Sequence, residues 1–97
     1  MRIISRKALR EFWSQHPDTE QALRAWYIRA RNADWRTPSD IKRDYANASI
    51  VANNRVIFNI KGNQYRLVVA MNYDYSIIYI RFVGAHSDYD QIDVTTI

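Results

Sequence analysis

The chain has 97 residues, 47% hydrophobic and 13% aromatic, with a net charge of +4 and a pI near 9.6. That is enough apolar material for one folded domain spanning residues 1–97 and too much for a disordered segment. The absence of cysteine excludes disulfides and thiolate metal sites, and no run approaches the roughly 18 apolar residues that a membrane helix needs.

Met1 to Ile4 is half apolar and predicts an edge strand. It lacks the long apolar core of a signal peptide, so a soluble cytoplasmic protein is expected. Ser5 reads as the cap of a first helix, with Ala8, Leu9, Phe12 and Trp13 on one face. His16-Pro17 ends it, because the residue before proline is pushed out of the helical region. His16 is expected to play a structural role there, bonding terminal carbonyls. Asp18 and Gln21 suggest a capping box for a second helix, whose buried stripe is Ala22, Leu23, Trp26, Tyr27 and Ala30. Arg24, Arg29 and Arg31 occupy its other face.

A loop over 32–35 leads to Thr37-Pro38-Ser39-Asp40, a third helix start with Thr37 as cap and Asp40 at its third position. Ile41 and Tyr45 should be buried there. Ile50 and Val51 mark a weak strand. Three strong strand patterns follow: RVIFNI, YRLVVAMNY and IIYIRFV. Ser87 to Gln91 reads as one helical turn, with Ser87 as cap and Asp90 at its third position. The fold class is therefore α+β: N-terminal helices packed on one face of a small antiparallel sheet, with a short C-terminal helix.

Two tight reversals fix the faces. A turn at Gly62-Asn63 pairs Ile60 with Tyr65, Asn59 with Arg66, Phe58 with Leu67 and Ile57 with Val68. A turn at Asp74-Tyr75 pairs Met71 with Ile78, Val69 with Ile80, Val68 with Arg81 and Arg66 with Val83. Period-two alternation then sorts the side chains. Val56, Phe58, Ile60, Tyr65, Leu67, Val69, Met71, Ile78, Ile80 and Phe82 share an apolar face for the helices to cover. The opposite face carries Arg55, Ile57, Asn59, Lys61, Gln64, Arg66, Val68, Ala70, Tyr79, Arg81 and Val83.

Eleven of the fourteen cations are arginines, whose forked guanidinium suits phosphate. The open face holds Arg55, Lys61, Arg66 and Arg81 with no strand acid beside them, which points to a polyanion-binding surface. Tyr79 on that face, and Tyr89 just beyond it, are placed to stack bases, whereas Tyr73 falls on the core side. His86 follows the last strand, where an imidazole can serve as general acid or base. With two histidines, no cysteine and no metal-ligand spacing, no metal site is expected. Only two glycines occur and no phosphate-cradling loop is present, so no nucleotide cofactor is expected either. Ser87 beside His86 is better read as a helix cap than as a nucleophile.

The segment FNIKGNQYRLVVAMNY followed by IIYIRFVGAHSDYDQID resembles the HigB-like toxins of type II toxin–antitoxin systems, within the RelE-like superfamily. The likeness covers Arg55 to Asp93 and extends loosely through Asp40-Ile41-Lys42 and Tyr45. Its motif is a GN turn, YRL on the next strand, IRFV-G, then H-x-x-Y-D; Ala85 stands where that pattern usually has threonine. The positions matched are Lys61, Asn63, Arg66, Arg81, His86, Tyr89 and Asp90. The resemblance implies metal-independent cleavage of mRNA, generally on translating ribosomes, neutralised by a HigA-like antitoxin with a helix-turn-helix domain. In that role Arg66, Arg81, His86 and Tyr89 are the expected catalytic group. Arg55, Asn59, Lys61, Asn63, Tyr79 and Asp90 are the expected RNA contacts. The competing reading is a non-catalytic module that binds RNA or an acidic partner through the same face.

Overall fold

Residues 1–97 are described by a computed structural model with helices on one face of a five-stranded sheet. In chain order the elements are β1 (Arg2–Ile4), α1 (Arg6–Gln15), a 3-10 turn (Pro17–Thr19), α2 (Glu20–Asn32), α3 (Pro38–Asp44), β2 (Ser49–Val51), β3 (Arg55–Ile60), β4 (Tyr65–Asn72), β5 (Ile77–Ala85) and α4 (His86–Tyr89). The strands lie in the order β1-β5-β4-β3-β2. This is the α+β class expected, with one correction. The sheet is mixed, because β1 pairs with β5 in parallel; the long intervening chain permits that pairing, which no tight turn could make.

Local chemistry explains most helix ends. Ser5 Oγ accepts from the Lys7 N–H at 3.2 Å, and α1 stops ahead of Pro17. Thr37 and Asp40 form the reciprocal capping box expected for α3. Two expectations fail. Asp18 does not cap α2, which starts at Glu20 after the 3-10 turn, because Lys61 and Tyr65 take its carboxylate. Ser87 lies inside α4, whose cap residue is Ala85, and makes no capping bond.

Leu9 and Trp13 of α1 and Leu23, Trp26 and Ala30 of α2 pack on the apolar sheet face, where Val56, Phe58, Ile60, Leu67, Val69, Met71 and Ile78 are all buried. Trp26 meets Phe58 edge-on at 5.4 Å between ring centroids. Full burial of each large apolar side chain contributes about 1.5–3 kcal/mol, so this layer dominates stability. No helix is long and apolar enough to cross a membrane.

The β3–β4 hairpin has the expected register, from Ile60 opposite Tyr65 to Arg55 opposite Ala70. Its turn takes positive φ at Lys61 (52°) and Gly62 (64°), one residue earlier than a Gly62-Asn63 pair would. The β4–β5 hairpin begins as expected, with Met71 opposite Ile78 and Val69 opposite Ile80. Val68 then faces Phe82, not Arg81, and Arg66 faces Gly84, not Val83. Arg81 is the extra residue of a β-bulge, which flips every later side chain to the other face. Val83 consequently packs against the core. Phe82 moves to the opposite face, where a Cβ on Gly84 would come within 2.5 Å of its ring Cζ.

That opposite face is not bare. Ile57, Val68 and Ala70 are buried, although they lie outside the helix-covered core. The segment after α4 turns back toward this side and is tied down at its end: Asn53 Nδ2 donates to the Thr95 carbonyl at 3.0 Å, and Arg55 Nη2 to the Ile97 carbonyl at 2.6 Å.

Candidate active site

The β3–β4 turn and α4 meet at one end of the sheet. The His86 N–H donates to the Gln64 carbonyl at 3.1 Å, which sets the start of α4 against the turn. Arg66 Nη1 donates to the Asn63 carbonyl at 2.9 Å and to the Tyr65 carbonyl at 3.3 Å, so two backbone oxygens of the hairpin aim the guanidinium. Its remaining donors have no acidic partner. The Arg66 Cζ lies 5.9 Å from the centre of the Tyr89 ring, and the His86 ring is tilted 6.4 Å from that ring. His86 Nδ1 lies 3.1 Å from Asp90 Oδ2. Asp90 is thus a partner of the histidine one helical turn earlier, not a residue of the helix N-terminus as its position suggests.

The arrangement is chemically specific. A carboxylate on Nδ1 fixes which face of the imidazole is turned outward and leaves Nε2 to exchange a proton. The Arg66 guanidinium, 5.9 Å from the Tyr89 ring, supplies charge-assisted donors for phosphate. Tyr89, near both Arg66 and His86, has a ring for stacking and a hydroxyl for hydrogen bonding.

The other expected residues are spread more widely. Arg81 is exposed and lies over the Tyr79 ring at 5.2 Å. It precedes by three residues the glycine opposite Arg66, about 10 Å along the strand. Arg55 is engaged by the tail and by the Asn53 carbonyl at 2.8 Å. With Tyr79 and Arg81 it borders a separate hollow of about 400 Å³ at the far end of this face. Asn59 is the cross-strand neighbour of Arg66, and Asn63 sits in the turn that aims it.

Lys61 leaves the open face altogether. Its Nζ binds Asp18 Oδ2 at 2.8 Å, and the Tyr65 hydroxyl donates to the same oxygen at 3.1 Å. The Lys61 ammonium is the main reason that the Asp18 carboxyl is held below 3.8; the Asp18 carboxylate in turn raises Lys61 above 10.5 and Tyr65 above 10.0. His16 is structural as expected: its backbone N–H closes α1 on the Phe12 carbonyl at 2.9 Å, although its ring bonds no carbonyl. It stacks on Phe12 at 4.3 Å and meets the edge of Tyr65 at 5.8 Å.

One site neighbour escapes alternation entirely. Phe82 lies over Gly84, beside Arg66, because of the bulge. A glycine inside a strand pattern signals such a bulge or close approach, so Gly84 was the available clue.

A family model for HigB toxin, the RelE-like toxic component of a toxin–antitoxin system, matches residues 19–92. The chain belongs to the HigB toxin family. That match takes in Asp18's neighbour Thr19 at one end and the whole Arg66–His86–Tyr89–Asp90 cluster toward the other. The chain is also 22% identical, over 94 residues, to the mRNA interferase HigB of Escherichia coli O6:H1 strain CFT073; the alignment covers 95% of this chain and 91% of that one. Membership of the HigB family makes this protein a toxic component whose natural counterpart is an antitoxin.

Proposed function

We propose that this HigB family member is a metal-independent endoribonuclease that cleaves mRNA, acts on translating ribosomes in the cytoplasm, and is neutralised by a HigA-like helix-turn-helix antitoxin. One domain, residues 1–97, carries the activity. The observation that carries the reading is the cluster of Arg66, Tyr89, His86 and Asp90, drawn together from β4 and α4.

The reaction needs no external oxidant or cofactor. The ribose 2′-oxygen gives up its proton and attacks the adjacent phosphorus, the bond from phosphorus to the 5′-oxygen breaks, and that oxygen takes a proton. The products are a 2′,3′-cyclic phosphate and a 5′-hydroxyl end. His86 exchanges one of these protons through Nε2 while Asp90 holds Nδ1. Arg66 offsets the charge that develops on the phosphorane, and preorganised donors of this kind contribute about 2.7–4 kcal/mol each. Tyr89 stacks the flanking base or hydrogen-bonds to the reacting phosphate. Arg81, with Tyr79, holds the strand at a phosphate further along. Asn63, Asn59 and Arg55 border the path of the RNA, and Lys61, held by Asp18 on the helical side, does not.

Cell-free translation followed by primer extension tests the reading. Discrete cuts within messages, lost in Arg66→Ala and His86→Ala, are expected. Salt-sensitive binding of RNA that stays intact would replace this reading with that of a non-catalytic binding module.

A further inference from the structure

Arg55 is only half satisfied. Its Nη1 donates to the Asn53 carbonyl at 2.8 Å and its Nη2 to the Ile97 carbonyl at 2.6 Å, while Nε is buried with no partner. Nε and Nη2 form one edge of the guanidinium, the parallel pair of donors that a phosphate takes with two oxygens. A lone carbonyl takes just one of them. The edge is therefore suited to a two-oxygen anion but holds a weaker substitute, and a buried donor left unpaired favours any exchange that pairs it.

The segment that supplies the substitute is loosely held. Residues 92–97 make no backbone hydrogen bond to the sheet, and their side-chain ties are Arg55 to Ile97 and Asn53 Nδ2 to the Thr95 carbonyl at 3.0 Å. Ile92, Val94 and Ile97 are each half-buried and none is fully covered. Beside this end of the tail lies the hollow of about 400 Å³, where Arg55, Arg81, Tyr79, Asn53 and Asn72 stand against one carboxylate, Asp74. Arg81 makes no ion pair, and its guanidinium rests on the Tyr79 ring at 5.2 Å. Ala70, also in the hollow, is four residues along β4 from Arg66, a distance of about 13 Å. One extended strand of RNA spans that distance.

We propose that residues 92–97 are an exchangeable strap over a second phosphate site: an RNA phosphate displaces the Ile97 carbonyl from the Nε–Nη2 edge of Arg55, with Arg81 as the neighbouring cation, and the tail leaves the face. This rests on the RNA substrate of the reading above and not on its cleavage chemistry. Attachment of the tail and binding of RNA along the whole face exclude each other. The apparent affinity for RNA then scales with the fraction of molecules whose tail is free.

A 2′-O-methyl hexanucleotide cannot be cleaved, so it separates binding from cutting. Titrated into the isotopically labelled full chain, it should shift the Arg55 Nε–H signal and quicken amide exchange over residues 93–97. Asn53→Gly tolerates the positive φ of that position (61°) and loses the tie to Thr95, so it should bind the oligonucleotide about tenfold more tightly. Arg55→Ala also frees the tail, yet it should bind no more tightly than wild type. Its log affinity should fall less steeply with log salt, by a slope of about 0.7, as expected for one lost phosphate contact on a single strand. A tail that stays protected in the bound chain, an Asn53→Gly affinity equal to wild type, or an Arg55→Ala protein that binds more tightly would each overturn the strap. So would an oligonucleotide that does not bind. A hexaglutamate peptide that frees the tail as readily as the oligonucleotide would assign the Arg55 edge to an acidic protein instead. RNA that binds and frees the tail but is never cut in translation extracts would sink the ribonuclease reading and leave the strap standing.

Discussion

The Lys61 ammonium sits 2.8 Å from the Asp18 carboxylate across 43 residues of chain, and so ties the corner between α1 and α2 to the β3–β4 turn. The same turn offers its Asn63 carbonyl to Arg66 and its Gln64 carbonyl to the His86 N–H. One clamp on the helical side of the sheet therefore steadies the loop from which Arg66 and His86 are both positioned.

That clamp sets a pH window. Asp18 titrates below its ordinary 3.8 in the folded chain, chiefly because Lys61 bonds it, so its contribution is present above 3.8 and is lost as pH falls through the folded value. Lys61 is raised above 10.5 by Asp18, so its contribution holds below 10.5 and is lost as pH rises through the folded value. Urea midpoints of wild type and Asp18→Asn should differ at neutral pH and converge as the pH drops below about 3.8. A gap that stays constant down to pH 2 would mean that the carboxylate charge is not what holds the turn.

Gly84→Ala should cost about 1–3 kcal/mol, because the new methyl would lie 2.5 Å from Phe82 Cζ and the ring must move. Combining it with Phe82→Ala should cost less than the two single changes added, which a double-mutant cycle in urea would read directly. Additive costs would separate the two residues.

Cleavage by Arg66→Ala should fall by about 10²–10³-fold with little change in melting temperature, since the side chain is half-exposed and its partners are backbone carbonyls. Asp90→Asn should cost less than His86→Ala, because the carboxylate acts through the imidazole. Rates from gel-resolved cleavage of a defined message check both orders. An Asp90→Asn protein as impaired as His86→Ala would give the carboxylate a direct part in the reaction.

Arg55→Ala removes the guanidinium bonded to the Ile97 carbonyl and leaves Asn53 as the remaining side-chain tie to the tail. Amide hydrogen exchange over residues 93–97 should quicken while that of β4 stays slow. Unchanged exchange in the tail would show that its apolar residues, not Arg55, anchor it.

Much of this molecule could be read directly from residue order. Helix caps at Ser5 and Thr37, the break at Pro17, the stripe Leu23–Trp26–Ala30 and the β3–β4 register all follow from neighbours a few places apart. The HigB-like motif stood in one run of chain, so Arg66, Arg81, His86 and Tyr89 could be singled out together before any contact was known; that Asp90 joins His86 while Arg81 packs on Tyr79 came only from the structure.

Tertiary structure alone decided where Lys61 and Phe82 point. Lys61 turns to the helical side because a carboxylate 43 residues away lies within reach, and nothing local to KGN encodes Asp18. Phe82 and Val83 exchange faces because the β4–β5 pair accommodates one extra residue at Arg81. Alternation counts residues and cannot see such an insertion. Short-range patterning fixes which elements form; the meeting of distant charges and the stagger between paired strands fix which side chains share a site.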